Sequence, residues 1–171
     1  MDSSILTRDY IGRQRFIAGH QTPTTGFAGT AGFVATTPVL TLSSATKPLV
    51  VARMVLSQIG TIAGADIGFV MAIDSATRYA SGGATIASKN TDLTSSKTAT
   101  AVFKGTEPTA GAAGAGTYYF GERLIEKDVG RTDVIEFPDG MVVPALGTFL
   151  VYAWAATTDP TLAITLEWLE R

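Results

Sequence analysis

From residue 38 onward the chain alternates apolar and polar positions with a period of two. Ile67, Phe69, Met71 and Ile73 fall on one side of an extended segment. Leu162, Ile164, Leu166 and Trp168 fall on one side of another, with Thr161, Thr165 and Glu167 opposite. This is the alternation of half-buried strands. Residues 98–104 and 132–137, rich in β-branched or aromatic side chains, are further strand candidates. Gly, Pro, Asp and Thr break the pattern repeatedly, as at Phe137-Pro138-Asp139-Gly140 and Thr157-Thr158-Asp159-Pro160, and both read as turns. About eight to ten short strands at regular spacing point to a sandwich or barrel.

Two segments depart from simple alternation. Residues 49–56 and 149–156 are apolar on both faces. An antiparallel sandwich normally leaves one face wet. Either a subunit interface covers the second face, or a long loop of the same chain does; the interface reading puts Phe149, Val151, Tyr152 and Trp154 in a self-association seam. Helix signals are few. Glu122 and Glu126 lie four apart, which suits a short helix over residues 121–129, and residues 74–79 suit one turn capped by Asp74 or Ser75.

Residues 1–30 sustain neither period. Arg8, Arg13 and Arg15 lie among Ile5, Leu6, Tyr10, Ile11, Phe16 and Ile17, before the breaker-rich stretch 21–26. They read as an extended N-terminal arm on a domain of residues 31–171. The arm either docks onto a neighbouring chain or lies as a strand or strap on its own domain. Arginines among aromatics suit a protein interface, so Arg8, Tyr10, Arg13, Arg15 and Phe16 are the candidate partner-binding residues.

Composition narrows the function classes. The 171 residues include 13 Lys+Arg, 15 Asp+Glu, one His and no Cys, for a net charge of −2. Without cysteine there is no disulfide framework, thiolate metal site or Cys nucleophile. The charge balance speaks against nucleic acid as a partner. The most apolar run, residues 49–56, contains Arg53 and is far shorter than the ~20 residues of a membrane-spanning helix. Only 16% of residues are charged, against about 25% in average soluble domains, while mean hydropathy is +0.24. Apolar residues spread this widely favour self-association or a dense assembly.

The motifs that would carry chemistry fail in context. The glycine-rich stretch 111–116 lacks the Lys-Ser/Thr and the following helix of a phosphate cradle, and leads into strand-like Tyr118-Tyr119-Phe120. His20 lies in the arm, away from any nucleophile setting. Glu122, Glu126, Asp128, Asp133 and Glu136 alternate with Arg123, Lys127 and Arg131, the pattern of a solvated, ion-paired face rather than a glycosidase pair. Asp66, Asp74 and Asp92 do not form a calcium loop. No catalytic, cofactor or metal site is expected, and the protein is expected not to be an enzyme.

The chain from about residue 38 to 170 resembles small structural proteins of tailed-phage virions, of the capsid decoration (cement) type. The resemblance lies in the Ala/Thr/Gly-rich style, the absence of Cys and the closing pattern Val143-Pro144-Ala145-Leu146-Gly147-Thr148-Phe149-Leu150-Val151-Tyr152-Ala153-Trp154, followed by a Thr-rich turn and Leu166-Glu167-Trp168. It implies an all-β, jelly-roll-like antiparallel sandwich; the basic, aromatic N-terminal arm departs from that minimal sandwich and is a candidate for the capsid-gripping part or for a tail or fibre attachment. It also implies a homotrimer on the capsid surface, bound to the major capsid protein or another virion protein; that neither nucleic acid nor membrane is a partner is expected from the charge balance and the short apolar runs. The alternative in the same setting is a receptor- or glycan-binding module of a head fibre or tail, with Tyr79, Tyr118 and Tyr119 as stacking residues.

Overall fold

The computed structural model describes residues 14–20, 25–60, 65–126 and 132–171. These residues form twelve strands and no helix: β1 (Gln14–Gly19), β2 (Phe27–Ala28), β3 (Leu40–Ser43), β4 (Leu49–Gln58), β5 (Ile67–Asp74), β6 (Tyr79–Thr85), β7 (Lys89–Asn90), β8 (Val102–Ala110), β9 (Thr117–Ile125), β10 (Thr132–Val143), β11 (Thr148–Trp154) and β12 (Thr161–Glu170). A front sheet runs β10-β4-β12-β1-β7, with β2 also paired to β12, and a back sheet runs β6-β8-β3-β11-β5-β9.

The order has a simple logic. β5 pairs antiparallel with β9, β4 with β10, β3 with β11 and β1 with β12. Each pair encloses the one before it in sequence. The two sheets are thus one long hairpin rolled up, which is the jelly roll, and the fold is an all-β antiparallel sandwich. β6, β7 and β8 are an addition between β5 and β9.

Alternation places the core between the sheets. β12 buries every second residue, Leu162, Ile164, Leu166 and Trp168, and β5 sends Ile67, Phe69, Met71 and Ile73 into the same core, both as their periodicity predicts. Phe16, Phe27, Phe103 and Phe149 complete it. Phe103 stacks on Trp168 at 6.5 Å, with Phe16 against the same indole at 6.0 Å.

Several expectations are corrected. Residues 121–125 belong to β9, not to a helix; Glu122 and Glu126 four apart fit a strand face as well as a helical one, and pairing with β5 decides. Residues 75–78 form a turn in which Asp74 Oδ1 accepts the Ala76 N–H, so Asp74 caps without a helix. Phe137-Pro138-Asp139-Gly140 is not a turn between strands but a bulge inside β10, where the register against β4 jumps between Glu136 and Met141. The described part of the arm is β1, inserted between β12 and β7, and residues 27–30 also lie on the sandwich: Gly29 N–H donates to Pro160 O and Thr30 N–H to Ala153 O.

The two-sided strand β11 has its reason within one chain. Phe149 and Val151 face the core, whereas Leu150 and Tyr152 face outward into a second cluster with Val70, Ala72 and Ala110. Two segments cover this cluster. Residues 31–38 cross it, with Phe33 against Tyr119, Tyr152 and Trp154 and the Tyr152 hydroxyl donating to Ala35 O at 3.0 Å. The β6–β8 ribbon crosses it from the other side, and Ala110 N–H donates to Thr36 O where the two segments meet. The ribbon then bends at Gly82, Gly83, Thr106 and Glu107, all with positive φ, and joins the edge of the back sheet beside β3. A Cβ on Gly83 would lie 2.7 Å from Gly105 O, so the corner needs glycine for space as well as for φ.

Candidate interaction surface

A buried polar latch holds the ribbon down. Arg78 and Asp74 are 6% and 4% exposed, and Arg78 Nη1 donates to Asp74 Oδ2 at 2.9 Å. The same guanidinium donates to Gly111 O and to Thr117 Oγ1, and the Arg78 N–H donates to Thr148 Oγ1. Thr117 Oγ1 in turn donates to Asp74 and accepts from Gly114 N–H. The glycine-rich stretch 111–116 is therefore anchored to the ends of β5 and β11, and its loop wraps a guanidinium instead of a phosphate. Burial opposes ionisation of Asp74, but hydrogen bonds from Thr117, Ala76 and Arg78, with the Arg78 charge, outweigh it and hold its pKa below 3.8. Burial, with Tyr119 beside it, pushes the Tyr152 hydroxyl well above its ordinary value. Every donor and acceptor named here is already engaged, so the latch is structural.

A second clamp sits at the end of β12. The Glu170 carboxylate, 8% exposed, accepts from the Thr100 and Ala101 N–H groups and from the Thr100 hydroxyl. It fixes the long β6–β8 connection where that segment returns from the edge of the front sheet.

With the outer face of the back sheet sealed, the outer face of the front sheet is the open one. Across it runs a charged row in register, Glu136–Arg53–Glu167–Ile17–Lys89. Arg15 donates to Glu167, and Arg53 lies 3.8 Å from the same carboxylate. Beside this row lie Val142, Val50 and Leu169, and Val134 with Val55; Val134 and Val142 are half exposed. The sheet ends at β10, which has no neighbour beyond it among the described residues.

The candidate residues separate accordingly. Arg8, Tyr10 and Arg13 lie outside the described residues. Arg15 is on the open face but spends its charge on Glu167. Phe16 is wholly buried against Trp168, so it belongs to the core and not to a partner surface. Phe149 and Val151 are core and Tyr152 is capped by Ala35; only Trp154 keeps partial exposure, and these four do not present a self-association seam. Of the tyrosines, Tyr118 is 65% exposed, Tyr119 packs on Phe33 and Tyr152, and Tyr79 lies beneath Lys104 Nζ at 5.1 Å. Sequence reasoning missed Arg78, although an acid and a base four apart across a turn, Asp74 and Arg78, were its signal. It also missed Glu170, whose partners Thr100 and Ala101 are 70 and 69 residues away.

No family model matches the chain, and no curated protein does. Among solved structures, that of Cocksfoot mottle virus contains a chain similar to this one, at 12% identity. The alignment covers 93% of this chain and 95% of that one, with a TM-score of 0.29. A superposition that loose fixes neither fold nor role; the fold rests on the strand pairing itself.

Proposed function

We propose that the protein is a non-enzymatic structural subunit of a virion, one that decorates and stabilises a phage capsid as a homotrimer. The observation that carries this reading is the nested pairing of eight strands into a jelly roll, an architecture shared by viral capsid proteins, lectin domains and cupins. Fold alone does not fix function. The single His disfavours a cupin, whose metal site needs several histidines. Low charge and widespread apolar residues favour life in an assembly.

The mechanism is thermodynamic. A subunit that binds only the assembled lattice stabilises that lattice by mass action. Copies joined to one another multiply weak contacts into firm attachment. The open front-sheet face around Val134, Val142, Arg53 and Glu167 is the surface offered for such contacts. β11 is sealed within its own chain and offers no seam, so this reading leaves the trimer contacts to surfaces other than β11.

Co-sedimentation with undecorated capsids tests it. The expected result is saturable binding and a higher temperature of capsid disruption. Absence of binding, with capsid stability unchanged, rejects the reading. A glycan-binding role is favoured by one feature, the exposed Tyr118 ring beside loop 111–116; glycan-array binding that disappears in Tyr118→Ala would replace the capsid reading.

A further inference from the structure

The buried apolar residues fall into two separate clusters. The larger fills the space between the sheets. The smaller, Val70, Ala72, Ala110, Leu150 and Tyr152, lies on the outer face of the back sheet. A satellite cluster beneath surface segments can be uncovered while the main core stays closed. The segments above it therefore have a stability of their own.

Two leaves form this cover. The strap, residues 31–38, is tied to β11 at both ends: Ala155 N–H donates to Thr30 O, and Val39 N–H to Val151 O. Between these ties it is held by the rings around Phe33 and by the Tyr152 hydroxyl on Ala35 O. The ribbon is held at one end by the pairing of residues 102–105 with β3. Its other end is held by the Arg78 latch, where Gly111 N–H donates to Arg78 O at 2.7 Å. Ala110, the ribbon's residue in the smaller cluster, stands next to Gly111. Its N–H donates to Thr36 O at 2.9 Å and joins the two leaves.

The contacts thus run in series, from Arg78 through Gly111 and Ala110 to Thr36 and Ala35. A ribbon that lifts at Arg78 withdraws Ala110 from the cluster and its N–H from Thr36. A strap that loses its Phe33 contacts loosens Thr36 and weakens the same bond from the other side. Neither leaf keeps its full set of contacts without the other. Phe33 acts here from a distance. Its ring lies against Tyr152, which pairs with Val70, and Val70 is about 14 Å from Asp74 along β5.

We propose that strap and ribbon are one cooperative cover, latched at Arg78, which opens as a unit ahead of the sandwich and turns out an apolar face that the closed molecule conceals. Closed, the chain presents Phe33 and Val34, 45% and 43% exposed. Open, it presents Leu150 and Tyr152 with Val70 and Ala72. Anything that binds the open form better shifts the population toward it. The device belongs to the single chain and stands apart from the capsid reading.

Amide hydrogen exchange on the whole chain tests it. The Thr37, Ala110 and Gly111 N–H groups are bonded within the cover. Those of Ile164 and Leu166 belong to β12, which is flanked by β4 and β1. The expected result is a common protection for the three cover amides, at least about tenfold below that of the two β12 amides. Phe33→Ala, a change in the strap, should lower protection at Gly111 by about tenfold or more. Arg78→Met, a change in the latch, should do the same at Thr37. Thr117→Val removes one latch hydroxyl while keeping the side-chain shape, and it repeats the latch test should Arg78→Met not fold. Circular dichroism of each variant checks that the sandwich is intact. Cover amides as protected as those of β12, or variants that each loosen only their own leaf, overturn the proposal.

Discussion

Arg78 and Asp74 face each other at 2.9 Å in a site that excludes nearly all water, and this pair holds the β6–β8 ribbon against the back sheet. Removing one partner of a buried pair leaves the other charge uncompensated, at a cost of about 3–5 kcal/mol. Arg78→Met is expected to destabilise by that amount in urea unfolding. The double variant Arg78→Met, Asp74→Leu should recover much of the loss, because no stranded charge remains.

Acid should act through the same site. The folded pKa of Asp74 lies below 3.8, so its stabilisation is complete above about pH 4 and is lost as pH falls through the folded value. Unfolding midpoints measured from pH 6 to pH 2 should decline for the wild-type chain. Asp74→Asn should start lower at pH 6 and decline less, because it has no carboxylate to protonate there.

Phe16 is a core residue, and its truncation should show it. Phe16→Ala should cost about 3–5 kcal/mol in denaturant unfolding. A residue serving only a partner would leave the midpoint of the isolated chain unmoved.

Gly105 lies under the ring of Phe27, and a Cβ there would come within 2.2 Å of it. Gly105→Ala should therefore cost about 1–3 kcal/mol through overpacking. Gly105→Ala with Phe27→Leu should be less destabilised than the sum of the two changes, a coupling read from a double-mutant cycle.

Legibility in the sequence followed physical locality. β5 and β12 were readable because each has one face in the core and a period of two states that directly. β11 was readable as a strand covered on both faces, but not by what, because its cover, Phe33 and Ala35 with Ala110, comes from segments far away in the chain. β6, Tyr-Ala-Ser-Gly-Gly-Ala-Thr, carries no alternation at all, since its place depends on pairing with β8 and on a glycine corner. The arm was ambiguous for a similar reason. Phe16 and Ala18 point inward while Arg15 and Ile17 point out, but six residues are too few to separate a strand from a strap until β12 is beside them. Of the latch only the Asp74–Arg78 pair, four residues apart, was there to be read; its contacts to Gly111, Thr117 and Thr148, like the Glu170 clamp, join groups that only the fold brings together.

The nested pairing also sets an order of events during synthesis. Among the nested pairs, Asp74 meets Thr117 first, then Ser57 meets Thr132, Ser43 meets Thr148, and Gly19 meets Thr165 only when β12 exists. Each step closes a longer loop than the one before, and such non-local pairing is slow. β1 has two paired residues with β7, made early, but its six with β12 wait for the end of the described chain. Until β12 emerges from the ribosome, Phe16 has no Trp168 to pack against, and the nascent chain carries an apolar segment with no core of its own to enter.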